Sequence, residues 1–240
     1  MDEQVIRLVD KAWDRFQQTP EDRRFMIAIG GIPGSGKTTL SQTVTQALNA
    51  RHANLHPEVR EAVPIAAFVP MDGYHLTRAQ LSALPDPATA HARRGAEFTF
   101  DGVSFLALVK ALREPLTASS GTIFAPSFDH AVKDPKENDI AIHPGHRIVI
   151  FEGNYVVLDK QPWSEAAGLM DERWFVDVDF DVARRRLVAR HVKAGIAKDE
   201  DEARKRADEN DLVNGRQIVE NRTHVHEVVV SRDDEKWKHE

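Results

Sequence analysis

The segment from Gly31 to Thr38, GIPGSGKT, has the spacing of a loop that wraps the phosphates of a nucleoside triphosphate. Its three glycines let the loop close tightly, so that backbone N–H groups converge on the phosphates. Lys37 then supplies a positive charge to the β- and γ-phosphates, and the Thr38 hydroxyl is placed to bind Mg²⁺. A glycine-rich turn without a ligand is the alternative. The predicted nucleotide-binding residues are Gly31, Ile32, Pro33, Gly34, Ser35, Gly36, Lys37, Thr38 and Thr39.

Two carboxylates come after strand-like runs, at the places where phosphoryl transfer needs acids. Asp72 comes after the apolar run 64–69, and Glu152 comes after the run 147–151. An alcohol acceptor needs a carboxylate that orients its hydroxyl and takes its proton, and we assign that role to Asp72. Glu152 is placed to help hold Mg²⁺, directly or through water. The alternatives are that Asp72 and Gly73 only form a turn, and that Glu152 is a helix cap or a loop charge.

Arginines on a predicted helix form a third group of candidate residues. The helical pattern runs from Asp181 to about Val192 and carries Arg186 and Arg190 one turn apart on the same face. Guanidinium groups there would close over the triphosphate and stabilise the charge of the transferring phosphoryl group. We therefore predict a lid at about residues 181–209. The alternative is a solvated basic face that pairs with neighbouring aspartates.

The elements that must position these residues are strand-like apolar runs that alternate with helical patterns. Such alternation predicts an α/β fold with a parallel sheet covered on both faces, whose ligands bind beyond the carboxyl ends of the strands. The predicted strands are 25–29, 64–69, 121–125, 147–151 and 174–178, and the predicted helices are 39–50, 102–112, 181–192 and 199–209, with a loop at 84–95. Phe98 and Phe100 have strand-like spacing and are expected in the core, with a platform that stacks on the acceptor as the alternative.

Composition limits the partners of this chain. Its 240 residues include no cysteine, which excludes disulfides, thiolate nucleophiles and Cys-based zinc sites and favours the cytoplasm. A net charge of −6 argues against binding to nucleic acid or an anionic membrane. No apolar run approaches the roughly 18–20 residues of a membrane span. We expect a small-molecule partner, and a homo-oligomer is left open.

Three segments resemble the superfamily of uridine kinases, phosphoribulokinases and bacterial pantothenate kinases. They are DGYH at 72–75, PSFDH at 126–130 and EG at 152–153. The chain is most similar to a branch of uridine-kinase-like proteins, some of them labelled fructose-transport-system kinases, which RGAEFTFD at 94–101 and NDLVNGR at 210–216 also resemble. The resemblance implies a P-loop NTPase-type, three-layer α/β/α sandwich with a mainly parallel sheet and a helical lid. We predict an N-terminal helix at 1–22, a P-loop kinase domain at 23–231 and a tail at 232–240.

The resemblance also implies a function. The chain would use ATP and Mg²⁺ to phosphorylate a hydroxyl group of a small molecule, with Asp72 as the catalytic base. The residues expected to meet the acceptor are Asp72, Tyr74, His75, Arg94, Phe128, Asp129, His130, Asn210 and Asn214. Uridine kinases usually have tyrosine where this chain has Phe128, so a hydroxyl that would bond a nucleoside is missing. Nucleoside-, pantothenate- and sugar-like acceptors therefore stay open.

Other interpretations compete with this one. Asn210 and Asn214 lie one helical turn apart and either line a pocket wall or act as caps. His224 and His226 are expected on the surface, because no further metal ligands lie nearby in the sequence. A GTPase is disfavoured, because the chain has no Asn-Lys-x-Asp motif. A module that binds or hydrolyses ATP without small-molecule kinase turnover remains the alternative.

Overall fold

The computed structural model describes residues 3–57 and 63–232 of the chain. The strands of the described part are β1 (Phe25–Gly31), β2 (Ala66–Pro70), β3 (Ile123–Asp129), β4 (Asp134–Ile142), β5 (Ile148–Gly153), β6 (Glu172–Asp177) and β7 (Glu227–Val230). Five of them form a parallel sheet in the order β2-β5-β1-β6-β7. The other two, β3 and β4, pair with each other in an antiparallel hairpin.

Helices cover both faces of this sheet. The described helices are α1 (Glu3–Gln17), α2 (Lys37–Leu55), α3 (Arg78–Ser82), α4 (Pro87–Ala92), α5 (Gly102–Arg113), α6 (Trp163–Gly168), α7 (Phe180–Lys193), α8 (Glu200–Arg206) and α9 (Leu212–Glu220). Short 3-10 turns lie at Met71–Tyr74 and Glu97–Thr99, and a π-helical turn at Ala207–Asp211 joins α8 to α9.

The central strand β1 shows why the sheet needs two covers. All seven of its residues are buried. Met26 and Ala28 enter the core that also contains residues of α5 and α6, whereas Ile27 and Ile29 enter the core formed with α1 and α2. A strand buried on both faces reads as a continuous apolar run, which is why the sequence predicts β1. The predicted three-layer α/β sandwich is confirmed.

Some predicted elements were wrong. The run 121–125 was expected in the parallel sheet, but it leads into β3, whose chain turns back at once into β4. A parallel pairing would require a crossover segment, and the short turn between β3 and β4 leaves no room for one. The predicted loop at 84–95 contains α4, with Asp86 as its N-cap and Pro87 in its first turn. Phe98 is 49% exposed, because a 3-10 turn replaces the expected strand, whereas Phe100 is buried as predicted.

The boundaries of the terminal segments and of the lid differ in part from those predicted. The N-terminal helix, expected at 1–22, ends at Gln17, and residues 1–2 lie outside the described part. Most of the predicted tail, residues 233–240, also lies outside it. The predicted lid corresponds to α7, α8 and the π-helical turn. Among the helices that the structure describes, none is long and apolar enough to cross a membrane.

Candidate active site

The loop between β1 and α2 has a backbone that requires glycine. Gly34 and Gly36 adopt left-handed conformations, with φ of 80° and 86°. A Cβ atom at Gly31 would lie 2.6 Å from the hydroxyl oxygen of Ser35, so the loop could not close around it. No side chain caps the start of α2, so the free N–H groups of its first turn remain available to an anion. This geometry suits a phosphate chain.

Lys37 lies at the first position of α2, and its side chain is 11% exposed. Its ammonium nitrogen is 3.5 Å from the carbonyl oxygen of Ile32 and 3.9 Å from a carboxylate oxygen of Glu152. Burial lowers the pKa of Lys37, and the nearby carboxylates of Glu152 and Asp72 partly offset that effect. The hydroxyls of Ser35 and Thr39 are buried and have no hydrogen-bond partner among the described residues. A cation and two hydroxyls therefore remain available to phosphate oxygens.

Glu152 is the second-last residue of β5, lies beside this loop and is 5% exposed. Burial raises the pKa of its carboxyl group to about 7, although the neighbouring Lys37 and a hydrogen bond from Thr38 act in the opposite direction. The carboxylate of Glu152 and the hydroxyl of Thr38 thus lie together. Oxygen donors of this kind, few in number and next to phosphates, suit Mg²⁺, which keeps several waters and needs no all-protein cage.

Asp72 lies in the 3-10 turn after β2, and its side chain is exposed. Its charge raises the pKa values of both Lys37 and Glu152, so the three groups share one edge of the sheet. Gly73 does not adopt a left-handed conformation, and glycine is needed there because another segment packs closely against it. A Cβ atom there would lie 2.1 Å from the carbonyl oxygen of Pro126 in β3, so glycine allows the hairpin to pack against the Asp72 turn.

Arg186 and Arg190 of α7 have different surroundings. Arg186 donates to the carbonyl oxygen of Gly34 at 3.1 Å and to the hydroxyl of Ser231 at 2.9 Å. It therefore links the phosphate loop to the residue after β7. Arg190 is exposed, and its charge lowers the pKa values of Lys37 and Glu152. On the same helix, Arg184 forms ion pairs with Asp181 and Asp208.

A row of aromatic rings follows the turn that carries Asp72. It consists of Phe100, His75, Phe128 and His130. The ring of His75 lies 4.0 Å from that of Phe100 and 4.9 Å from that of Phe128, and Phe128 lies 5.2 Å from His130. The guanidinium of Arg94 lies 5.6 Å from the centre of the Phe128 ring. Burial lowers the pKa of His75, which favours its neutral form. The row offers flat apolar surface beside the carboxylate of Asp72.

Two residues expected at the acceptor have partners within the protein. Tyr74 is 5% exposed and packs edge-on against Phe105 in the core, and burial raises the pKa of its hydroxyl. The carboxylate of Asp129 accepts hydrogen bonds from the backbone N–H groups of Ala131 and Val132, which closes the turn of the hairpin. Sequence motifs place these residues near the site but do not show where their side chains point.

Asn210 and Asn214 hold an arginine that sequence analysis did not select. The guanidinium of Arg93 donates to the side-chain oxygens of Asn210 at 2.9 Å and Asn214 at 2.8 Å. A second missed feature is the buried pair of His191 and Asp211, whose side chains are 2.8 Å apart. The charge of Asp211 also raises the pKa of Lys37. These partners are far apart in the sequence, so no local pattern reveals them.

The described residues contain no group of three or more His, Cys, Asp or Glu side chains that would hold a metal ion by themselves. His224 and His226 are both exposed, as the sequence predicts. A cation here would therefore need ligands from a bound phosphate chain as well as from the protein.

Comparisons with known proteins show the family and the fold of this chain. Residues 26–196 match the family described as Phosphoribulokinase / Uridine kinase family. The "ATP-dependent kinase-like protein notR'" of Aspergillus versicolor is 60% identical over 159 residues, which cover 66% of this chain and 92% of that protein. A structure described as a "putative fructose transport system kinase" from Silicibacter sp. TM1040 has a TM-score of 0.76 and 30% identity, covering 92% of this chain and 98% of that one. YFH7 of Saccharomyces cerevisiae, described as "a putative P-loop containing kinase with a circular permutation", has a TM-score of 0.85 and 25% identity, covering 98% and 100%.

Proposed function

Because the chain belongs to the phosphoribulokinase / uridine kinase family, we propose that it is an ATP- and Mg²⁺-dependent small-molecule kinase. It transfers the γ-phosphoryl group of ATP to a hydroxyl of a nucleoside-, pantothenate- or sugar-like metabolite. The observation that carries this proposal is the convergence of Lys37, Glu152 and Asp72, whose charges act on one another at one edge of the sheet.

In this proposal, the phosphate loop positions the donor. Its backbone N–H groups and the ammonium of Lys37 bind the phosphate oxygens, in a site already built to accept negative charge. Thr38 and Glu152 would hold Mg²⁺, which supplies positive charge between the phosphates when it is bound. The exposed guanidinium of Arg190 lies where it can offset the charge of the transferring group.

Asp72 acts on the acceptor. Its carboxylate orients the acceptor hydroxyl and takes its proton as the oxygen bonds to the γ-phosphorus and the bond to ADP breaks. The aromatic row from His130 to Phe100 holds the acceptor beside this carboxylate. The mainly neutral, planar surface of that row is compatible with each of the three acceptor classes.

Two substitutions test the proposal. Lys37→Ala should weaken or abolish ATP binding, because it removes the buried cation of the phosphate loop. Asp72→Asn keeps the shape but loses the base, so turnover should fall about a hundredfold or more while ATP affinity changes little. Isothermal titration with ATP, combined with ADP release over a panel of acceptors, measures both.

The outcome separates a kinase from a module that only binds or hydrolyses ATP. ATP binding without acceptor-stimulated ADP release, under every acceptor of the panel, would favour the module. Wild-type turnover in Lys37→Ala would contradict the phosphate-loop assignment. Joint loss of ATP binding, turnover and folding in Asp72→Asn would make Asp72 a structural residue.

A further inference from the structure

Arg93 is a cation that two neutral side chains hold in a fixed position. It comes directly after α4 and bonds the side-chain oxygens of Asn210 and Asn214. Asn210 also donates to the carbonyl oxygen of Arg94 at 3.1 Å, which fixes which end of its amide faces Arg93. The two amides carry no charge, and Arg93 makes no ion pair with a carboxylate within residues 3–57 and 63–232. Its positive charge is therefore oriented but not neutralised.

A second guanidinium approaches the same space from the lid. Arg93 and Arg206 both line a cavity of about 810 Å³ between the end of α4 and helix α8. The Nε atom of Arg206 is buried and has no hydrogen-bond partner in the part of the chain that the structure describes. A buried donor without a partner is costly, and a bound anion would satisfy it. The cavity has the volume of small-molecule sites, which is roughly 300–1,000 Å³.

Acidic residues also line this cavity, but two of them are engaged at the other end of α8. Asp199 accepts a hydrogen bond from the backbone N–H of Glu202, and the carboxylate of Glu202 accepts one from the backbone N–H of Lys198. Along the helix axis, Glu202 lies about 6 Å from Arg206 and Asp199 about 10 Å from it. Asp201 and Glu209 are exposed. Lys198 and Lys205 also line the cavity, so its rim carries charges of both signs, and Arg93 and Arg206 form its basic end.

The basic end adjoins both halves of the candidate active site. Asn214 precedes Gly215, whose Cβ position lies 3.4 Å from Ile32 of the phosphate loop. On the other side, Arg94 is the next residue after Arg93 and lies over the ring of Phe128. Arg93 is thus placed between the phosphate loop and the aromatic row, where one end of an acceptor would lie.

We propose that Arg93 and Arg206 form a subsite for a carboxylate or phosphate group of the phosphoryl acceptor. This inference rests on the proposed kinase function and narrows it to acceptors that carry a hydroxyl and an anionic group. The planar fork of a guanidinium matches the oxygens of both groups. Since Arg93 belongs to the main domain and Arg206 to the lid, a bound anion would also join the two.

The first experiment compares matched acceptors with ATP and Mg²⁺. The pairs are pantothenate with pantothenol, ribose 5-phosphate with ribose, and glycerate with glycerol. We expect kcat/KM at least about tenfold higher for the anionic member of the pair that is used. Arg93→Gln and Arg206→Gln should each raise KM for that member by about tenfold or more and remove the preference.

Matched variants control for charge and for folding. Arg204→Gln removes the same charge from an exposed position on α8 that does not line the cavity, and it should leave KM unchanged. Arg93→Lys keeps the charge but not the fork, so it should restore only part of the loss in Arg93→Gln. Glu209→Gln should lower KM, because it removes a negative charge beside Arg206. Arg206→Gln keeps the test valid if melting shows that Arg93→Gln is unfolded.

A second experiment needs no turnover. Binding of inorganic phosphate is titrated while a non-hydrolysable ATP analogue and Mg²⁺ fill the phosphate loop, and the titration is repeated with acetate. Wild type and Arg204→Gln should bind the preferred anion, whereas Arg93→Gln and Arg206→Gln should bind it about tenfold or more weakly. The anion should also inhibit competitively with the acceptor, and noncompetitive inhibition would overturn the assignment to the acceptor.

The two proposals fail in different ways. Turnover with neutral acceptors that does not depend on Arg93 or Arg206 would overturn the anion subsite and leave the kinase function standing. Absence of turnover with every acceptor would overturn the kinase function. Anion binding that is equal in wild type, Arg93→Gln and Arg206→Gln would overturn the subsite regardless of turnover.

Discussion

At the end of β5, Glu152 is surrounded by groups that determine its charge. It is almost wholly removed from water, Lys37 lies 3.9 Å away, and Thr38 donates a hydrogen bond to it. Burial outweighs both neighbours and raises the pKa of Glu152 to about 7. In the absence of nucleotide and Mg²⁺, a carboxyl group with such a pKa holds its proton at slightly acidic pH and must release it to become a metal ligand.

This raised pKa predicts how stability changes with pH in the absence of nucleotide and Mg²⁺. Between the ordinary pKa of 4.5 and about 7, the folded chain keeps a proton on Glu152 that the unfolded chain has lost. The free energy of unfolding should therefore fall as pH rises through this window, by about 3 kcal/mol. Glu152→Gln should not show this fall. Urea unfolding of both proteins from pH 4 to 8 measures the difference, and parallel curves would contradict it.

Single residues are predictable where their neighbours in sequence determine their role. The phosphate loop from Gly31 to Thr38 is recognisable because its glycines and Lys37 act within one turn of chain. Arg93 was missed because its partners, Asn210 and Asn214, are more than one hundred residues away, with separations of 117 and 121. A local pattern contains no information about such a pair.

At the scale of elements, α7 is the part of the predicted lid that contacts the phosphate loop. Its side toward the loop carries Arg186, which bonds the carbonyl oxygen of Gly34 and the hydroxyl of Ser231. One turn further on, Arg190 is exposed, and its charge acts on Lys37 and Glu152. The same helix therefore supports the loop at one position and presents an exposed cation at the next.

The two arginines should separate in a comparison of kinetics and stability. Arg190→Ala should lower kcat about tenfold or more without changing the melting temperature, because it removes only charge that acts on the phosphates. Arg186→Ala should lose about 1–3 kcal/mol of stability, because it removes charged hydrogen bonds to the loop and to the residue after β7. Lys193→Ala, an exposed cation at the end of α7, is the control. If kcat is the same in Arg190→Ala and Lys193→Ala, the assignment of Arg190 as a lid residue that acts on the phosphates is wrong.

Elements differ in how well the sequence determines them. Helix α7 was predicted within about two residues, because its apolar spacing ends where Gly195 turns the chain with φ of 62°. The segment 121–125 does lead into a strand, but nothing in its apolar run distinguishes a place in the parallel sheet from a hairpin. The pairing is decided by the tight turn after β3, in which Lys133 adopts a left-handed conformation with φ of 59°. The register of tertiary pairing lies outside any single run of residues.

At the scale of the whole molecule, α1 is bonded to the amino-terminal end of β6, which lies at the end of the sheet opposite the active site. Glu172 begins β6, its side chain is fully buried, and it accepts hydrogen bonds from Lys11 at 3.0 Å and Arg15 at 2.8 Å. The indole of Trp174 donates to the same carboxylate at 2.9 Å. Because the active site lies beyond the carboxyl ends of the strands, this cluster is separated from it by the length of the sheet.

Glu172→Gln should therefore reduce stability while leaving the kinetics unchanged. It keeps the side-chain shape but removes the buried negative charge that faces Lys11 and Arg15, at an expected cost of about 2–4 kcal/mol. The control is Arg7→Gln, which breaks the 2.8 Å ion pair between Arg7 and Glu227. The side chain of Arg7 is 53% exposed. A surface pair of this kind contributes at most about 1 kcal/mol. Urea unfolding measures both losses. A fall in kcat for Glu172→Gln at a temperature where it is fully folded would show that α1 also shapes the active site.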